Sequence, residues 1–496
     1  MAKNSKKLII PRVVKGFSDI SKDQLDYLRN MINKLRNIYQ QYGFDEIETP
    51  MFEYTEVLGK FLPDSDRPND GVFSLQDEDE QWLSLRYDLT APLARYVAEN
   101  FERLPKPYKS YRYGWVFRNE KAGPDRYRQF LQFDADIVGT ANMLADAEIC
   151  MMAADALIQL DINRANFNIR VNNRKILDGI LQQIGITADV KNDTKLTILR
   201  AIDKLDKFGI EGVKLLLAEG RMDESGDFTK GAELAPQAID KILAYLNCNK
   251  FSQEEILHQL SLIVGDSAIG QEGIEELKII QTIVNSAGYS DCIKIDPSIV
   301  RGLEYYTGPV FEATLEGDIP NEDGQIVVFG SIGGGGRYDG LIDRFRSDSV
   351  PATGFSIGIS RLLQALKNLR LLGKINHKEL VVVAVMDKDL ESLKIYQNIV
   401  QKLRSANIAS ELYVGSAGLK AQMKYADKRG AACIILQGTN EREKGVVEIK
   451  DLVTGLKLSE QITSHNEWKE LRPAQITIKY DKIIPAVKDI LDKVNK

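Results

Sequence analysis

The chain has 496 residues, with 65 Lys and Arg against 71 Asp and Glu and a formal net charge of −6; that length suits two to four domains of about 100–200 residues. With 44% hydrophobic and 27% charged residues its usage is ordinary for a globular protein, which excludes a disordered, collagen-like or histone-like chain. The longest apolar run, Leu380–Met386, falls far short of the ~20 residues of a spanning helix, and no secretory apolar run follows the basic N-terminus. A cytoplasmic protein without membrane contact is expected. Cys150, Cys248, Cys292 and Cys433 lack CxxC spacing and read as reduced, packing thiols. His258, His377 and His465 are the only histidines, so His-based triads and zinc-protease motifs have little to work with, and chemistry should rest on Arg, Asp, Glu and Tyr.

In chain order, Ser21 and Gln24 form a capping box for an amphipathic helix over 21–43 that Gly43 stops. Phe44–Glu48 alternates like a half-buried strand and ends at Pro50. Short strands, loops and one helix follow to about residue 170. Between 188 and 290 the pattern turns helical (Lys195–Phe208, Ala238–Leu246, Gln253–Val264, Ile274–Ala287) and reads as an insertion. Strands resume at Ile293–Ile295, Val310–Leu315 and Val327–Phe329, before the glycine run Gly333–Gly336. After a linker over Leu371–Lys378, β and α segments alternate from residue 379, with helices expected over Leu390–Ser405 and Leu419–Arg429, predicting a separate α/β domain on a mainly parallel sheet. The expected division is 1–187 and 291–370 as two parts of one domain, 188–290 as the helical insertion, and 379–496 as the last domain.

Four clusters carry candidate chemistry. In Phe117–Asp136, Arg118, Glu120, Arg126, Arg128, Phe130, Gln132, Asp134 and Asp136 recur at period two around a Gly-Pro turn, so a hairpin would gather them on one face. Such a face can grip phosphates, stack on a base and hold an ammonium group; a salt-bridged solvent face is the competing reading. Arg301, Tyr305 and Tyr306 precede a second Gly-Pro turn and could fix a phosphate and read a polar ring, or could edge a core. The glycine run permits close backbone approach but matches neither a Walker loop nor GxGxxG. It precedes Gly354–Ile359 and a helix that places Arg361 at its start. Finally, Asp88 and Thr90 could receive an amino group, or Asp88 could cap the helix Leu89–Ala98.

Together these segments resemble the class II aminoacyl-tRNA synthetases, and specifically the histidyl-tRNA synthetase family. The long helix plus GFDEIETP resembles motif 1, FRNE…RYRQF motif 2, and GFSIGISRLL motif 3; RGLEYYTG and GGRYDGL look like the histidine-specific signatures. The resemblance covers nearly the whole chain. It implies an α+β fold: an antiparallel-sheet catalytic domain with a helical insertion and a C-terminal α/β anticodon-binding domain. It also implies ATP-dependent ligation of L-histidine to histidine tRNA through histidyl-adenylate, with ATP and Mg2+ as cofactors and a homodimer built on motif 1.

Carried over by this resemblance, Arg118 and Arg301 are the catalytic pair on the α-phosphate, with Arg301 where related enzymes place a metal. Glu120, Phe130 and Arg361 would hold adenine and Arg126 the terminal phosphates. Asp88, Thr90 and Gln132 would receive the amino group, while Asp136, Tyr305 and Tyr306, with Arg301, line the histidine pocket. Many bacterial members carry Glu where Asp88 and Asp136 stand, one methylene longer. The loop NEKAGPDR is similar to that of a bacterial subset whose histidine tRNA lacks the extra 5′ guanosine. The alternative is the non-catalytic regulatory subunit of ATP phosphoribosyltransferase, which lacks the anticodon domain; a tRNA-sensing module of a regulatory kinase and a synthetase for glycine, threonine or proline fit less well. Residues 378–496 hold 20 Lys and Arg against 16 Asp and Glu, and Phe101–Arg128 holds eight against three. Positive charge is therefore concentrated locally, and Lys420, Lys424 and Lys428 make an i, i+4 stripe that could meet tRNA or simply face solvent.

Overall fold

The computed structural model describes residues 9–58, 71–123, 127–186, 192–222, 226–300, 306–317, 319–320, 323–327, 330–373, 379–459 and 474–494. It separates into two compact units, Met1–Gly373 and Lys374–Lys496.

The first helix, α1 (Lys22–Gln41), begins where expected: Ser21 Oγ accepts from the Gln24 amide while the Gln24 side chain accepts from the Ser21 amide at 3.0 Å. Its buried stripe is Leu28, Met31, Leu35, Ile38 and Tyr39. The other helices that place the site are α2 (Thr90–Asn100), α3 (Met143–Gln159), α4 (Arg174–Gln183), α5 (Ala268–Ser286) and α6 (Ile359–Asn368).

Eight strands form the main sheet: β1 (Asp45–Glu46), β2 (Tyr108–Phe117), β3 (Gln129–Val138), β4 (Phe167–Asn173), β5 (Ile293–Ile295), β6 (Pro309–Leu315), β7 (Ser331–Arg337) and β8 (Ala352–Gly358), in the order β1-β2-β3-β8-β7-β6-β4-β5. The inner pairs are antiparallel; β1 lies parallel to β2 and β5 parallel to β4. Residues opposite one another across antiparallel strands share a face, so one row runs Arg112, Asp134, Ser356, Gly334, Glu312. A second runs Ser110, Asp136, Gly354, Gly336, Val310. The other face presents Tyr111, Phe133, Ala135, Phe355 and Phe311, all buried. Tyr39 of α1 meets Phe133 edge-on at 4.9 Å, and Tyr111 stacks on Phe133 at 5.6 Å. Each such aromatic removes enough apolar area from water to contribute on the order of 1.5–3 kcal/mol. α3, whose buried face is rich in alanine, packs against both α1 and α5. One face is thus committed to the core, and the polar residues are left together on the other.

Several elements differ from expectation. Arg118, Glu120 and Arg128 lie in the connection between β2 and β3 and not on the strands, because β3 starts only at Gln129. The glycine run is an inner strand: neighbouring rings occupy the space of its absent side chains, Phe355 at Gly333 and Tyr306 at Gly336. The helical stretch near Lys195–Phe208 is two helices, Asn192–Ile202 and Leu205–Leu217, the second kinked at Gly209. Residues 328–329, 374–378 and the segment of Arg126, Arg301 and Tyr305 lie outside the described residues.

The second unit has strands β9 (Val381–Val383), β10 (Ser410–Leu412), β11 (Cys433–Leu436), β12 (Val446–Asp451) and β13 (Gln475–Lys479), in the order β10-β9-β11-β12-β13. Only β10, β9 and β11 are parallel; β12 and β13 add antiparallel. The expectation of a mainly parallel sheet therefore holds for three strands, and β13 was not anticipated because its side chains are mostly exposed. Helices α7 (Leu390–Ser405) and α8 (Leu419–Lys428) fall as predicted. All four cysteines are buried and unpaired. Among the described residues no helix is long and apolar enough to cross a membrane.

Candidate active site on the polar face of the sheet

Because β3 alternates, Gln132, Asp134 and Asp136 project to the polar side while Phe133 and Ala135 go to the core. Each is tied to a neighbouring strand. Gln132 Nε2 donates to Ser356 Oγ at 3.0 Å, and Ser356 Oγ donates to Asp134. Asp136 Oδ2 accepts from the Arg112 guanidinium, and its Oδ1 accepts from the Tyr338 hydroxyl. Gly354 faces Asp136 across the sheet, and a Cβ there would lie 1.9 Å from Asp136 Oδ1. The shorter Asp thus lies close over a glycine, held by two protein donors.

These carboxylates feel their burial unequally. Loss of hydration drives Asp134 up to about 7, against the pull of Arg112 and the Ser356 hydroxyl and with help from Asp136 and Asp88. Asp88 is likewise raised by burial, opposed by the backbone amides it binds and by Arg118. Burial works against the charge of Arg112, but Asp136 and Asp134 outweigh it and hold the guanidinium above its ordinary value.

Asp88 Oδ1 accepts from the Thr90 and Ala91 amides at 3.0 and 2.9 Å. It therefore does cap the entry to α2, with the helix starting one residue later than expected, and its hydrogen bonds among the described residues run through Oδ1 alone. Arg118 lies between two rings, 4.4 Å from Tyr87 and 5.0 Å from Phe130, an arrangement that suits a planar guanidinium. The Tyr87 hydroxyl donates to Glu120 at 3.1 Å, so Arg118, Glu120 and Phe130 gather around Tyr87. Arg361, in the first turn of α6, is exposed and donates to the Ser331 carbonyl at 2.9 Å. Ser360 beside it accepts from the Leu131 amide at 3.0 Å, which joins α6 to β3. Tyr306 stands against β7 at Gly336. Lys420, Lys424 and Lys428 are exposed on α8 in the second unit.

Three members of this network were not expected from the sequence: Arg112, Ser356 and Tyr338. Arg112 sits at period two with Arg118, which was the available signal, but its pairing with Asp136 depends on register. Among the described residues Gln132 Oε1 and Arg112 Nη1 are buried without a hydrogen-bond partner, and such groups in a polar cleft are those a polar ligand would satisfy. No group of three His, Cys, Asp or Glu among the described residues could hold a metal.

An antiparallel sheet carrying one polar face of Arg, Asp and Gln, closed by a strand and helix of motif 3 sequence, defines the catalytic core of a class II aminoacyl-tRNA synthetase. A family model described as histidyl-tRNA synthetase matches residues 16–362, and one described as an anticodon binding domain matches 379–485. The chain belongs to the histidyl-tRNA synthetase family. It is 60% identical to the histidine–tRNA ligase of Brucella ovis, over 97% of this chain and 96% of that one, and 59% identical to that of Bartonella bacilliformis, over 99% of each. The crystal structure of histidyl-tRNA synthetase from Nostoc superposes with a TM-score of 0.69 at 28% identity, covering 97% of this chain and 100% of that one. A Bacillus halodurans structure described as an ATP phosphoribosyltransferase regulatory subunit/histidyl-tRNA synthetase shares the fold, with a TM-score of 0.64 at 20% identity, covering 84% of this chain and 97% of that one. Ligase relatives at this identity over nearly full length set the chain with the catalytic enzymes and not with the regulatory subunit, and membership carries the use of ATP.

Proposed function

We propose that L-histidine and ATP react on the polar face of the main sheet and that the second unit binds the anticodon end of histidine tRNA. In the first step a carboxylate oxygen of histidine attacks the α-phosphorus of ATP, forming histidyl-adenylate as pyrophosphate leaves. In the second a hydroxyl of the terminal adenosine takes the histidyl group and AMP departs. Neither step needs a protein nucleophile; both need positioning and neutralisation of phosphate charge.

In this reading Arg118 and Arg301 bind the α-phosphate, Glu120, Phe130 and Arg361 the adenine, and Arg126 the terminal phosphates. The α-amino group goes to Asp88, Thr90 and Gln132; Asp136, Tyr305 and Tyr306 receive the imidazole. The observation that carries it is the buried Gln132 Oε1, an acceptor without a partner among the described residues, on the face that also holds Asp134 and Asp136: an ammonium group supplies the missing donor. Mg2+ suits this site because it keeps water and nucleotide phosphates as ligands and needs no all-protein cage; bound there, it would neutralise charge on the leaving pyrophosphate. Residues 188–290 are read as an insertion between two parts of the catalytic domain, 1–187 and 291–370, with 379–496 as the anticodon-binding domain, and the cytoplasm as the compartment.

ATP–pyrophosphate exchange measured with each amino acid tests this. Exchange should depend on histidine, and Arg301→Ala should lower it by at least about 100-fold, as loss of a donor to developing charge does, while leaving the melting temperature in place. Equal exchange with glycine would overturn the reading.

A further inference from the structure

Arg112 has no role in the scheme above, yet it is the largest fully buried side chain among the described residues, at 1% exposure. Its Nε donates to the Leu89 carbonyl at 2.8 Å, and its Nη2 donates to Asp136. Leu89 lies between Asp88 and Thr90, the residues assigned to the amino group. Asp136, assigned to the ring, accepts from Tyr338 on its other oxygen. One guanidinium thus spans both ends of the pocket. A buried ion pair is on average no better for folding than apolar residues of the same shape, so its presence at the centre of a polar face calls for a reason other than stability.

We propose that Arg112 is a positioning residue of the histidine pocket: it fixes the spacing between the Leu89 backbone and Asp136, thereby setting affinity for histidine but not for ATP. This rests on the reading of the polar face as the histidine site. The groups around Asp136 are Arg112 from β2, Asp134 on its own strand, Tyr338 after β7 and Tyr39 across the sheet, while Asp88 and Arg86, ahead of α2, interact with Asp134 and Arg112. Arg112 is the cation paired to Asp136.

The test is pyrophosphate exchange by the full chain and its Arg112→Gln and Arg112→Lys variants, varying histidine and ATP separately. Arg112→Gln should raise KM for histidine by at least about tenfold, as a small misplacement of a binding group does, with KM for ATP within about twofold of the parent. Arg112→Lys should recover part of that defect. The proposal is overturned if KM for histidine stays within about twofold of the parent, or if both KM values rise together with a fall in melting temperature. Should Arg112→Gln fail to fold, Arg112→Lys and Tyr338→Phe decide by the same split between the two KM values. Loss of histidine specificity in the parent chain would instead sink the site assignment itself.

Discussion

The Ser356 hydroxyl donates to Asp134 and accepts from Gln132, so one side chain orients an acid and an amide on adjacent turns of the same strand face. Asp134 carries a measurable consequence. Its carboxyl is raised by burial to about 7 in the fold, against about 3.9 in an unfolded chain. Between those values the folded state binds the extra proton, so the group's contribution to stability is fully present below about pH 4 and is lost as pH rises towards 7. Asp134→Asn mimics the protonated form and removes that dependence. The melting temperature of the variant relative to the parent should therefore improve between pH 5 and pH 8, by an amount equivalent to a few kcal/mol at most, at ~1.4 kcal/mol per pKa unit. A difference that is flat with pH, measured by scanning calorimetry on both proteins, would show that Asp134 is ionised throughout.

At the scale of elements, local signals were legible and register was not. The capping box of α1 and the bounds of α7 could be read from the sequence because they depend on residues three or four apart. The gathering of Arg112, Asp134, Ser356 and Glu312 into one row could not, since β2, β3, β8 and β6 come from distant parts of the chain. Likewise Asp88 was readable as either cap or ligand, and its geometry, with one oxygen on the backbone amides, serves the first role without using up the carboxylate. The small sheet of Phe52–Tyr54, Ser74–Gln76 and Trp82–Leu85 follows α1 and leaves Phe52, Tyr54 and Leu75, which share one face, roughly half exposed. An exposed apolar cluster of this kind is what self-association covers, which supports the homodimer expected from the motif 1 resemblance. Light scattering on a gel-filtration column should give a dimer at micromolar concentration, and Phe52→Asp with Tyr54→Asp should shift it towards monomer. A parent chain that elutes as monomer would remove the interface.

For the whole molecule, a net charge of −6 argues against a polyanionic partner only while charge is treated as uniform. The excess of 20 basic over 16 acidic residues in 378–496 reverses the sign in the segment that contains the anticodon-binding match. Lys420, Lys424 and Lys428 lie exposed along α8, and none has an ion-pair partner among the described residues. If these ammonium groups neutralise phosphates, each contact releases counterions, and tRNA affinity falls with salt at a slope of about −0.9 per contact on a duplex and about −0.7 on a single strand. Replacing all three by Ala should raise KM for tRNA in aminoacylation and flatten the dependence of log KM on log salt by about two to three. Histidine-dependent pyrophosphate exchange, which needs no tRNA, should keep its rate. A solvated, uninvolved lysine face predicts an unchanged salt slope, so the slope and not the affinity alone separates the two. A fall in exchange would show instead that the substitutions disturb the catalytic unit.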